Sequence, residues 1–167
     1  MLLLRLIHVA VGVFWVGAAL FVALFIFPAT RAIGPNGAPF MQFIMERRKF
    51  SVVMMTSGLL VIISGIWMYA RNAAAAPGIW AHSHMGMAFG IGGLAAILGF
   101  VAGAAINAPA GKQLTAISED VRAKGGTPTA EQGAKMAQLQ GRLYLGLVVT
   151  DVLLVLATLC MAVARYI

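Results

Sequence analysis

The chain reads as an all-α membrane protein: a four-helix transmembrane bundle with helical extensions into the cytoplasm. Two observations carry this. Of its 167 residues, 61% are hydrophobic and 10% charged, against about 25% charged in soluble domains. The apolar residues also gather in four stretches, roughly 3–27, 50–69, 79–105 and 143–164. Each is close to or above the roughly 20 residues that cross a hydrocarbon core. The length suits a single integral membrane domain, 1–167.

The first stretch is apolar from Met1-Leu2-Leu3-Leu4 to Pro28. That run exceeds a signal-peptide core and lacks a clean small-x-small cleavage site, so it is read as a retained span. After it, Pro39 is placed to start a helix through Phe40, Phe43 and Ile44 into the second span. The third span carries Gly86-x-x-x-Gly90 and Gly99-x-x-x-Gly103, small-residue pairs that let a helix or a flat cofactor come close. Plain helix packing is the favoured reading of Gly99 and Gly103. Gly125-Gly126 is a turn between polar helical pieces. Thr127-Pro128 sets a capping residue before a proline, and Thr129-Ala-Glu-Gln132 reads as a capping box.

Charge sets the expected orientation. The loops after the first and third spans hold Arg31, Arg47, Arg48, Lys49, Lys112, Arg122, Lys124, Lys135 and Arg142; the other side holds Arg5, Arg71 and Arg165. The positive-inside rule puts the first group in the cytoplasm and both termini outside. A net charge of +7 then points to anionic lipid and not to nucleic acid. The one cysteine, Cys160, excludes a disulfide framework, and the lack of C-x-x-C-H excludes covalent haem attachment.

The only histidines are His8, His82 and His84. Threading the spans puts all three at the outer end, at similar depth. Coordinating groups inside a membrane are functional-site hypotheses by default. One imidazole from each of two helices is what a b-type haem needs. His8, Gly12 and Trp15 share a helix face, with Trp15 a candidate pocket wall. His82, Gly86, Gly90 and Gly93 form a similar stripe. His84 points roughly 200° from His82 on one helix, so the two do not share an iron. The glycines favour His82 and depth favours His84. Arg5 and Arg71 lie on the same side, suited to haem propionates.

The competing metal is copper. His82-Ser-His84-Met85-Gly-Met87, with Met68 nearby, is rich in the soft ligands that suit copper(I). Asp151 is the only acid inside a span. A proton relay is its sharper reading; a partner for Arg48, Lys49 or Arg142 is the favoured one. Trp67 and Trp80 read as interfacial belt.

The opening Leu6-Ile-His8-Val-Ala-Val-Gly-Val-Phe-Trp15-Val-Gly17 resembles the first helix of the copper resistance protein D-like membrane families. It is similar too to bacterial haem-containing protoporphyrinogen oxidase, in which tryptophan-x-histidine-x-lysine begins a later helix. Here Trp80-Ala-His82-Ser-His84 has histidine in the lysine place. Thr56-Ser-Gly58 and Ser64-Gly65-Ile-Trp67 look like related four-span proteins. The resemblance implies haem b or copper at the outer face, with His8 the best carried-over ligand. The function expected is electron transfer or quinol oxidation at the periplasmic face of a bacterial inner membrane. A quinone or another membrane redox protein is the expected partner, and the glycine pairs permit a second copy. The alternatives are a copper-binding or transport protein and an accessory subunit of a membrane complex.

Overall fold

The computed structural model describes residues 1–34 and 37–167 and contains no strand among them. Four helices are long and apolar enough to cross a membrane: Leu2–Ile33, Phe50–Ala75, His84–Ala123 and Ala130–Val163. They are called the first to fourth spans below. Each packs on the next, and the fourth closes against the first, so the spans form an antiparallel four-helix ring. The third and fourth make the most extensive contact. Leu, Ile, Val and Phe side chains cover the outer surface, among them Leu24, Ile63, Leu94 and Leu145. Such a surface is stable against lipid tails, and the backbone satisfies itself within each helix. The chain is a multi-pass membrane protein.

The core is narrow because small residues bring the spans together. Trp15, Ala19, Val61, Ala95, Ala96, Leu154 and Ala157 form the buried cluster. Gly99 seats Leu153 and Leu154, and Gly92 seats Cys160 and Met161. Gly99 and Gly103 face the fourth span, as plain packing requires. Between helices in lipid, close van der Waals contact replaces the hydrophobic drive.

Among the described residues there are three π-helical turns, and the sequence explains two of them. Val22–Ile26 precedes Pro28, and Gly103–Asn107 precedes Pro109. Proline lacks an N–H and its ring crowds the carbonyl four residues back. Widening the turn relieves that clash without ending the helix. The third π turn, Phe43–Arg47, follows the short helix Gly37–Gln42.

That short helix does not run into the second span as expected. It begins at Gly37, not Pro39, and the chain breaks at Lys49, in the left-handed region with φ 51°. A side-chain-bearing residue there costs roughly 1–2 kcal/mol. Lys49→Gly is therefore expected to raise the thermal midpoint in detergent by about 2–4 °C. An unchanged or lower midpoint would show that the break is not strained.

The third and fourth spans continue beyond the apolar zone as a helical hairpin. Gly125 and Gly126, at φ 105° and 85°, make its turn. The Thr129–Gln132 capping box starts the fourth span, so Pro128 lies before the helix rather than at its first position. Gln132 and Lys124 both bond Asp120, and Gln42 reaches Glu119 to tie the short helix to the hairpin. This is the hairpin end of the bundle; the opposite is the histidine end.

Candidate functional site

His8 lies inside the bundle and not at its edge. Its ring lies against Gly65, where a Cβ would sit 3.0 Å from Cε1. Glycine there lets the imidazole pass close to the second span. Ser64, 6% exposed, is 2.9 Å from the His8 Nδ1. The Ser64 hydroxyl donates to the Leu60 carbonyl at 2.6 Å. With its proton so engaged, Ser64 Oγ accepts from Nδ1–H, which assigns the neutral tautomer of His8. The lone pair is left on Nε2. Ligating histidines are commonly held in this way, by a hydrogen bond on the nitrogen that does not bind the metal.

A cavity of about 40 Å³ adjoins the ring, lined by His8, Gly65, Ile66, Gly93, Ala96 and Met161 among others. All four spans contribute to it. A Cβ on Gly93 would meet nothing within 4 Å, so the third span leaves this space open. Met161 of the fourth span also lines it.

The other two histidines are elsewhere. His82 is exposed in the 3₁₀ turn Trp80–His82, and His84 is exposed as the first residue of the third span. Contrary to the expectation of one shared helix, Ser83 separates them as N-cap. Its Oγ accepts from the Gly86 N–H at 3.1 Å and donates to the Trp80 carbonyl at 2.6 Å. The third span thus begins at His84, not Ile79, and the expected stripe from His82 to Gly93 does not exist. His8 is level with Gly93, nine residues beyond His84, or about 14 Å along the helix. The histidines are not at one depth. No group of three His, Cys, Asp or Glu side chains converges among the described residues.

The proposed supports of a porphyrin have other tasks. Gly12 faces Val61, and Gly86 packs under the Trp80 carbonyl. Trp15, 5% exposed, fills the core edge-on to Phe100 at 6.2 Å. Arg5 is exposed. Arg71 borders an open groove of about 510 Å³ along Ile63, Ile66, Trp67 and Ala70. No histidine lines that groove. Trp80 sits between Tyr69 and Phe89 at 5.0 and 6.4 Å, a belt at the histidine end.

Haem b therefore does not fit the site as built. Cofactor pockets run to roughly 300–1,000 Å³, and the cavity at His8 holds about 40 Å³. No second imidazole approaches it. A water or a single ion does fit.

Near the hairpin end a second polar group stands in the bundle. Asp151 is 8% exposed and its Oδ1 has no partner. The expected pairing with Arg48, Lys49 or Arg142 is absent; the one ion pair among the described residues is Lys124–Asp120. Thr150 does not bond it but accepts from Asn107 Nδ2 at 3.4 Å. Ser64, Met161 and Asn107 were not among the expected site residues.

No protein-family model matches this chain, and comparison with curated proteins and with solved structures finds no match either. The fold and the site define the class: a four-span helical membrane protein with a half-buried imidazole between its helices.

Proposed function

We propose that the protein binds a single copper(I) ion inside the membrane, between His8 Nε2 and the Met161 thioether, as a step in copper handling. One observation carries the reading. Ser64 holds Nδ1, which leaves the lone pair on Nε2, and His8 and Met161 line the same cavity of ion size. Imidazole with thioether is a soft donor set, which favours copper(I). Zinc wants about four ligands in a closed site and finds two here. The exposed His82, His84 and Met87, with half-buried Met85, are suited to gather the ion at the histidine end. The cation bias supports placing that end at the outer face of a bacterial inner membrane, with both chain ends there.

The test is the metal content and visible spectrum of protein purified under reducing conditions. A colourless preparation that keeps copper in a one-to-one ratio against a competing chelator is expected. A stoichiometric Soret band, or loss of all copper to the chelator, would overturn the proposal. Haem found at full occupancy would restore electron transfer as the leading function.

A further inference from the structure

The His8 site leaves the most isolated group in the bundle unused. Asp151 is buried in the fourth span, on the side of the helix that carries Tyr144 one turn pair nearer the hairpin. Tyr144 stacks on Phe27 of the first span, with ring centroids 6.3 Å apart. No ionisable side chain occurs from Val9 to Thr30 in the first span, from Ser51 to Met68 in the second, or from Met85 to Gly111 in the third. On its own helix the nearest are Tyr144 and Cys160. A carboxyl inside a membrane must be paired, face water or carry a proton. Asp151 has no counter-ion, and its Oδ1 is shut off from solvent with no donor.

Beside it the chain builds a polar step toward the hairpin. Pro109 calls for the π turn Gly103–Asn107, which brings Asn107 against the fourth span. Gly146 admits the amide: a Cβ there would overlap Asn107 Oδ1 and come within 2.8 Å of Ile106. Asn107 then donates to Thr150, the neighbour of Asp151. Asn107 Oδ1 is itself buried without a donor. Two orphaned oxygens thus stand in neighbouring polar residues, one on Asn107, which bonds Thr150, and one on Asp151, the next residue along the helix; among the described residues they are the buried side-chain polar atoms without a partner. The Thr150 hydroxyl both accepts and donates, and with the Asn107 amide it gives proton-bearing water a polar foothold next to the carboxyl.

We propose that Asp151 is a proton-carrying group, loaded and unloaded from the hairpin end by way of Thr150 and Asn107. The proton comes from hydronium in the water at that face; an O–H bond forms on the carboxyl as one breaks in hydronium, and release is the reverse. The site is independent of the metal at His8.

Infrared difference spectroscopy of the whole protein in lipid nanodiscs tests this. A carboxylic-acid carbonyl band is expected at low pH, lost as the pH rises and shifted in heavy water. Carbon-13 aspartate should shift it in the wild-type chain. Only Asp120 and Asp151 are labelled, so its persistence in Asp120→Asn assigns it even if Asp151→Asn fails to fold. A folded Asp151→Asn should lack it. Asn107→Ala should slow deuterium exchange of the band about tenfold, the effect of losing one hydrogen bond. No label-sensitive acid band at any pH, or one that never exchanges, overturns the proposal. Exchange at the wild-type rate in Asn107→Ala overturns the route.

Discussion

Gly86→Ala is expected to destabilise the protein by about 3 kcal/mol and to loosen the whole histidine end. An added Cβ would overlap the Trp80 carbonyl oxygen and lie 2.9 Å from its carbon and 3.0 Å from Ala81 Cα. These are backbone atoms, so no side-chain rotation relieves the clash. The turn Trp80–His82 must move, and it is held by the Ser83 bonds to Trp80 and Gly86. Loss of such a cap alone costs about 1 kcal/mol. The better helix propensity of alanine returns less than about 1 kcal/mol. The expected thermal midpoint in detergent falls by roughly 6–10 °C. Gly17→Ala is the control, because its Cβ would meet nothing within 4 Å; it should match or slightly exceed the wild type. Equal midpoints for Gly86→Ala and wild type would mean that the turn does not rest on the third span.

The same turn shows what the sequence made legible and what it hid. Hydropathy alone locates four spans, because lipid imposes one length and one polarity on every crossing segment. The Thr129–Gln132 box and the Gly125-Gly126 turn are local devices, complete within a few residues, and both occur as read. Ser83 carried a signal of the same kind, a cap residue ahead of an apolar run. Extending the third helix back to Ile79 passed over it and placed His82 and His84 on one helix. The depth of His8 was hidden for another reason. It depends on how far the first span slides against the third, which side-chain packing sets: His8 on Gly65, Trp15 on Gly58 and Phe100. Ser64 and Asn107 were visible as polar residues in apolar runs, yet their partners lie 56 and 43 residues away. Asp151 failed to find the expected cation because those cations stand out on the hairpin and its approaches, beyond the apolar zone. Arg142, the nearest in sequence, is exposed nine residues away.

Copper affinity should respond to four substitutions in an order that only the His8 site predicts. His8→Ala removes Nε2, one of two donors, and is expected to abolish retention against the chelator. Met161→Leu keeps the volume and loses the sulfur, with a similar loss. Ser64→Ala leaves both donors but frees the ring to turn and change tautomer. Removal of such an outer partner typically weakens metal binding by about 10- to 100-fold. Gly93→Ala is the most telling of the four. Its methyl enters open space beside the cavity, so helix propensity favours the fold by up to about 1 kcal/mol while room for the ion shrinks. A protein at least as stable as wild type and with weakened copper binding is the expected result, read by competition titration beside thermal unfolding. His84→Ala, at the exposed start of the third span, should slow loading and leave the final affinity unchanged. If His84→Ala lowers affinity as far as His8→Ala does, the ion sits at the histidine end, and the His8 imidazole has a different task.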